Sequence, residues 1–172
     1  MSEPLTGALR EEIHEAFAWR RYPGHDQLVK QVLGCGGGEY ESVGRFFQGK
    51  DWREVTLQSI VDEPELDRNA FLFFLRPEGF VYFLPAFLEL SLDVDSPFVL
   101  GESLAFLLRP PGEGEGSAWR EHFSRIVSLL TPGEQRAVVH VLEYLVSAYE
   151  KRGHGPHTAG EALERYWSRR NG

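Results

Sequence analysis

The stretch "FLFFLRPEGFVYFLPAFLELSL", residues 71–92, most constrains how this chain folds, because its aromatic and aliphatic side chains must leave water. A helix that crosses a bilayer needs about 20 mainly apolar residues without a break. This stretch is interrupted by "RPEG" and carries a charge again at Glu89. It is therefore not a membrane segment, and we expect two shorter elements buried in a core.

Two prolines determine the second of these elements. Pro77 suits the first turn of a helix, and Glu78 complements the positive N-terminal end of the helix dipole. Pro85 lies about two turns further along, where it lacks a backbone donor and clashes with the preceding turn. We therefore predict one core helix with a kink at Pro85.

Helical periodicity also marks much of the remaining sequence. Near the start, Leu9, Ile13 and Phe17 recur every four residues, with charged residues between them. No stretch alternates strictly between apolar and polar residues over the length of a strand, and "FLFFL" is the one ambiguous run. The pattern predicts a mainly α-helical protein.

Several polar residues are placed to begin helices. "TPGE" from Thr131 and "TAGE" from Thr158 fit the capping box, in which hydroxyl and carboxylate each accept a hydrogen bond from the other residue's amide. Thr56 and Asp26 are further candidate N-caps, each before a short apolar run.

These signals predict the fold class. At 172 residues, of which 42% are hydrophobic, the chain has the size and composition of one domain. We expect an all-α, single-domain irregular helical bundle over residues 1–172, with about seven to nine helices and one proline-kinked core helix. The glycine- and glutamate-rich "RPPGEGEGS", residues 109–117, is expected to be a flexible surface loop.

The charge is concentrated in the middle of the chain. The net charge is −8, and residues 62–116 contain 11 acidic and 3 basic residues, a balance equal to that whole charge. Binding to nucleic acid normally needs clustered lysine and arginine, and no such stripe occurs here. An acidic surface attracts a basic protein surface, although acidic residues also serve solubility alone.

The sequence favours a cytoplasmic protein. The single cysteine, Cys35, allows neither an intramolecular disulfide nor an all-thiolate metal site. "MSEPLTGALREEIHEAF" has neither the basic region nor the continuous apolar region of a secretory signal. No association with membranes is expected.

No group of residues specifies a catalytic site. Cys35 lies in "GCGGG", but a nucleophilic cysteine needs a histidine base, and only sequence proximity suggests His25. His154 and His157 flank "GP" without an implied third metal ligand. His14 and its neighbour Glu15 point in different directions on a helix. We therefore predict no catalytic, metal-binding or cofactor-binding residues; the sequence favours a non-catalytic protein and leaves an enzyme as the alternative.

Paired carboxylates offer a further chemical possibility. Glu39 and Glu41, or the acidic run from Asp62 to Asp67, could serve in acid–base chemistry or bind Mg²⁺. Such chemistry needs a partly buried site that separates two pKa values, and a solvated run does not provide one. We interpret the run as an exposed loop or helix start.

The predicted partner-binding residues are therefore mostly acidic. Trp52, between Asp51 and Arg53, is the tryptophan expected to be partly exposed, and exposed tryptophans are enriched in interfaces. The full predicted set is Trp52, Asp62, Glu63, Glu65, Asp67, Asp93 and Asp95.

Three stretches carry a family resemblance. "RPEGFVYFLPAFLELSL", "LLTPGEQRAVVHVLEYL" and "ALERYW" are similar to the domain of unknown function 6714 family of small bacterial proteins. "IHEAF", "YPG" and "GKDWREV" extend this resemblance over nearly the whole chain. The resemblance implies closely spaced cysteines after "YPG", where this chain has Cys35 alone. It implies no particular activity.

Three hypotheses about function follow. The leading one is a cytoplasmic protein that binds a basic protein partner through its acidic surface, as an immunity protein or antitoxin does. The second is an enzyme or small-ligand-binding protein with its site at the Pro85 bend, where Tyr82 and nearby carboxylates would act. The third is a structural or homo-oligomeric module.

Overall fold

The computed structural model describes residues 3–30, 38–68, 70–96, 100–153 and 157–170. These ranges contain eight α-helices and no strand, apart from an isolated bridge between Val29 and Leu75. The all-α fold is thus confirmed. The helices are α1 Glu3–Phe17, α2 Gly38–Phe47, α3 Leu57–Val61, α4 Pro77–Ser91, α5 Leu100–Leu107, α6 Ser117–Leu129, α7 Pro132–Lys151 and α8 Thr158–Arg165.

Short 3₁₀ turns separate several of these helices, and one more follows α8. They span His25–Gln27, Trp52–Glu54, Phe71–Phe74 and Trp167–Arg170. The ambiguous run "FLFFL" thus forms a 3₁₀ turn. Asp26 lies inside the first turn, whose N-cap is Gly24, so the predicted N-cap at Asp26 is wrong.

Helix α4 lies at the centre of the core. It packs against α1, α5, α6 and the Trp52–Glu54 turn, and every residue from 79 to 88 is buried. The Phe47 ring of α2 contacts Phe83 and Phe87 of α4, with centroids 4.5 Å and 6.0 Å apart. The aromatic stretch is therefore interior scaffolding, as its composition predicted.

The prolines of α4 behave differently from one another. Pro77 stands at the first helical position, as predicted, because its missing N–H has no helical partner there. The helix continues through Pro85, which is buried. The expected bend at Pro85 stays a prediction.

The start of α4 packs closely against the chain before α2. A Cβ atom on Gly79 would lie 2.7 Å from the carbonyl oxygen of Leu28, so only glycine fits this contact. The same carbonyl accepts a hydrogen bond of 2.8 Å from the Arg76 amide. This backbone contact fixes the position of the α4 N-terminus.

The loop predicted at residues 109–117 lies between α5 and α6, and α6 begins at Ser117. Arg109 is buried and its guanidinium donates to Glu115 at 2.7 Å. The Pro111 carbonyl accepts a hydrogen bond of 3.3 Å from Arg165 of α8. Side chains therefore hold this glycine-rich loop at both of its ends.

The helix caps confirm the sequence signals in part. Thr131 and Thr56 are N-caps whose hydroxyls accept from the amides of Glu134 and Ser59. The predicted cap at Thr158 is wrong, because His157 caps α8 by accepting from the Ala159 amide.

Candidate functional site

The acidic segment, residues 62–67, connects α3 to the Phe71–Phe74 turn. Leu66 is 4% exposed and anchors the segment in the core. The carboxylates of Asp62, Glu65 and Asp67 are exposed, and Glu63 is half-buried. Four of the six residues in this segment are therefore acidic, and the buried Leu66 side chain anchors it in the core.

Neighbouring side chains contact this segment. Glu65 forms an exposed ion pair with Arg45 of α2. Asp62 accepts a hydrogen bond of 2.6 Å from the Gln58 amide nitrogen. Exposed ion pairs of this kind contribute little to stability.

Trp52 is not the exposed residue that the sequence suggested. Its side chain is 1% exposed, and its ring lies edge to face with that of His14 at 5.0 Å. The Arg53 guanidinium covers the ring at 4.3 Å. Asp51 and Glu54, on either side of the Trp52–Arg53 pair, form a capping box. "DWRE" has the capping-box spacing, so the sequence did contain this signal.

The proposed ligand site at Pro85 lies in the core. Tyr82 is 4% exposed, and its ring contacts those of Tyr22 and Phe83. Burial is the main cause that raises the pKa of Tyr82, followed by the charge of Asp51. Pro85 and Tyr82 are thus both buried among the side chains of the core.

A cleft of about 1110 Å³ lies instead between α1, α7 and the chain after α4. Contacts along α1 define the arrangement of the two helices. Glu12 of α1 lies beside His140 of α7, with Oε2 2.8 Å from Nδ1. Arg20, just after the C-terminal end of α1, pairs with Glu134 in the first turn of α7. Residue numbers rise along α1 as they fall along α7, so the helices are antiparallel and the cleft lies toward the α1 N-terminus.

The apolar part of the cleft comes from all three walls. Its buried lining residues are Leu9 of α1, Leu92 just after α4, and Ala148 of α7. Leu5, one turn before Leu9, also lines the cleft and is 55% exposed. The cleft therefore combines buried apolar walls with an exposed leucine.

Charged groups of both signs surround the same cleft. Its acidic lining residues are Glu12, Asp93, Asp95 and Glu143, and its basic ones are Arg10, Lys151 and Arg152. Asp93 and Asp95, predicted from the sequence as partner-binding, are thus cleft residues. Asp95 accepts a hydrogen bond of 2.7 Å from Arg152, at the C-terminal end of α7.

Tyr144 is the aromatic residue of the cleft. Its hydroxyl donates to the Leu92 carbonyl at 3.0 Å, which ties α7 to the end of α4. Burial is the largest cause that raises the pKa of Tyr144; Arg152 and Arg10 oppose the shift, while Asp93 and Asp95 add to it. Charges of both signs therefore act on one side chain.

The remaining predicted candidates are structural or lie elsewhere. Cys35 and His154 lie outside the described residues. His14 pairs with Glu89 of α4, and His157 Nδ1 lies 3.3 Å from Glu102 Oε1. Glu39 and Glu41 are exposed in the first turn of α2. Over the described ranges, no group of three metal-ligating side chains is placed to hold an ion.

Sequence reasoning missed the cleft as a unit. Positions 140, 143, 144, 147, 148 and 151 repeat at helical spacing and all line it. This stripe on α7 was a usable signal, because all of its residues except Ala148 carry a polar group and it lies beside an apolar stripe. Its apposition to α1, more than a hundred residues away, could not be read from local patterns.

Among the helices that the structure describes, none is long and apolar enough to cross a bilayer. Comparison with curated proteins and with solved structures finds no match. A family model does match, over residues 38–171. The quoted "IHEAF" and "YPG" precede that range, as does helix α1. Because the match covers most of the chain, the protein belongs to the DUF6714 family, a family of unknown function.

Proposed function

We propose that this protein acts in the cytoplasm by binding the basic surface of another protein, in the manner of an immunity protein or antitoxin. The observation that carries the proposal is the acidic segment, whose four carboxylates lie on a short connection anchored by Leu66. Opposite charges on two surfaces speed their association and disfavour wrong partners.

The rest of the acidic set supports the proposal to different degrees. Asp93 and Asp95 are exposed and lie in the cleft, where Arg10, Lys151 and Arg152 offset their charge. Trp52 is buried and is removed from the proposed surface. The acidic segment is therefore the primary contact, and Asp93 and Asp95 are secondary ones.

The test compares three baits in affinity capture from the native cell, at low and at moderate salt. The first is the natural protein, and the second carries D62N, E63Q, E65Q and D67N. The third is a control with E11Q, E15Q, E121Q and E150Q, whose four carboxylates are exposed on α1, α6 and α7. Both variants remove four negative charges, so only the location of the charges differs.

The proposal expects a protein that the natural bait and the control capture and that the acidic-segment variant loses. Higher salt should weaken this capture, because ions screen exposed charges beyond about 10 Å at 0.1 M. Purified partner and bait should reproduce the difference in affinity. Equal capture by all three baits, or affinity independent of salt, would contradict the proposal.

A further inference from the structure

We infer that the cleft between α1 and α7 is a docking groove for an amphipathic α-helix of a second protein. The groove contacts the apolar side of that helix through Leu5 and its charged flanks through Glu143 and Lys151. This inference does not rest on the acidic segment, which carries the proposed function and does not line the cleft, although Asp93 and Asp95, its secondary contacts, do line it.

The dimensions of the cleft favour a helix as the occupant. Its α7 wall runs from His140 to Arg152, a length of about 18 Å at 1.5 Å per residue. A helix of about 12 residues has the same length. Two antiparallel helices leave a surface groove between their axes into which a third helix packs, at about 8–10 Å from each.

The apolar contact centres on Leu5. This side chain is 55% exposed at the N-terminal end of α1, beside the buried Leu9. Docking of a helix would cover it and remove its remaining apolar surface from water, which favours association. The apolar stripe of an amphipathic helix, with residues at spacings of three and four, fits such a surface.

The charged contacts specify the pattern of the occupant. Among the described residues, neither Glu143 nor Lys151 belongs to an ion pair, whereas Glu12 and Asp95 are paired with His140 and Arg152. Glu143 and Lys151 lie about 12 Å apart along α7, at 1.5 Å per residue. The docked helix therefore carries a basic and an acidic residue about two turns apart, on the flank that faces α7.

Other occupants fit the cleft less well. Small-molecule sites usually enclose about 300–1,000 Å³ and have few charged groups. This cleft, of about 1110 Å³, lies at the upper limit of that range, and seven acidic or basic side chains line it. Its four carboxylates also oppose the phosphates of a nucleic acid. A protein helix with charges of both signs matches the size and the lining together.

The inference is tested by selection from a displayed library of 15-residue helical peptides against the full chain. The counter-target is S147W, because Ser147 is an exposed cleft residue and an indole there fills the groove. S124W, an equivalent change on the exposed face of α6, is the matched control. The acidic-segment variant described above is a further target.

We expect selected peptides to share a leucine-type stripe and opposite charges two turns apart. Fluorescence anisotropy should show binding at least about ten-fold weaker to S147W, and unchanged to S124W and to the acidic-segment variant. E143K should weaken binding about ten-fold, and a peptide whose basic residue is changed to glutamate should recover it. Such a charge swap separates direct contact from damage to the fold.

The inference is overturned if no peptide is enriched over the S147W counter-target, or if enriched peptides bind S147W as tightly as the natural chain. Peptides with charges of a single sign, or without helical spacing of the apolar residues, would also overturn it. Loss of partner capture by the acidic-segment variant with intact peptide binding would separate this site from the proposed function.

Discussion

Arg20 holds Glu134 by two parallel hydrogen bonds, Nε to Oε1 at 2.6 Å and a terminal nitrogen to Oε2 at 2.7 Å. Glu134 is fully buried, and its carboxylate also accepts from the Thr131 amide at 2.8 Å. Arg20 donates once more, to the Leu129 carbonyl. One ion pair thus joins the chain after α1 to the start of α7, at the end of the two helices that lies away from the cleft.

Removal of Arg20 should be strongly destabilising. R20M leaves a buried carboxylate without its cation, and breaking a buried pair costs about 3–5 kcal/mol. R45A, which breaks the exposed pair with Glu65, should change the free energy of unfolding by less than about 1 kcal/mol. Urea denaturation measures both.

The double variant R20M/E134Q identifies the cause. Because the amide that replaces the Glu134 carboxylate has no charge to leave unpaired, the second substitution should recover part of the stability lost in R20M. A double variant no more stable than R20M would show that packing of the arginine, and not the unpaired charge, accounts for the loss.

His122 should make stability depend on pH. Burial, with a further contribution from Lys30, lowers the pKa of His122 to about 4, and its ring stacks on Trp119. Between pH 6.5 and about 4 the unfolded chain takes up a proton at this residue and the folded chain does not. Stability therefore falls as the pH falls through this window, by on the order of 3 kcal/mol in total.

The variant H122Q cannot titrate at this position and isolates the effect. The slope of unfolding free energy against pH between 4 and 6.5 should be smaller in H122Q than in the natural protein. Titration of the His122 ring near pH 6.5 in the folded protein, observed by NMR, would rule this account out.

Gly79 should not tolerate a side chain, whereas Gly7 should. In G79A the new Cβ meets the Leu28 carbonyl at 2.7 Å, and overpacking of this kind costs about 1–3 kcal/mol. G7A places a methyl group in open space on α1 and should stabilise by about 0.5–1 kcal/mol. Thermal unfolding of the two variants should shift in opposite directions; similar shifts would contradict the packing around Gly79.

Local signals predicted the helices well. The hydroxyl of Thr131 and the carboxylate of Glu134 lie three residues apart, so their capping box forms within one turn and needs no distant contact. Pro77 begins α4 for a similarly local reason. The predicted N-cap at Thr158 is wrong because the Thr158 hydroxyl donates to Glu102, 56 residues away. His157 is the N-cap of α8 instead.

The candidate site depended on distant contacts, and local reasoning found it only in part. Asp93 and Asp95 were identified by their charge, but Glu12 and His140 meet across 128 residues of chain. The charged neighbours of Trp52 in the sequence favour an exposed position, whereas its side chain is 1% exposed. Asp51 forms a capping box with Glu54, and the Arg53 guanidinium covers the ring. The charged residues around Trp52 are therefore at the boundary of the core, with the tryptophan itself inside it.

Trp52 and Trp167 give a matched comparison for the worth of one buried hydrogen bond. Both are 1% exposed, but Trp167 Nε1 donates to the Leu108 carbonyl at 2.7 Å, whereas Trp52 Nε1 has no hydrogen-bond partner among the described residues. W167F and W52F each lose the same atoms. W167F also leaves a buried carbonyl unsatisfied, so it should cost about 1–3 kcal/mol more than W52F in urea denaturation. Equal losses in the two variants would mean that a partner, such as a bound water, satisfies the Trp52 indole as well.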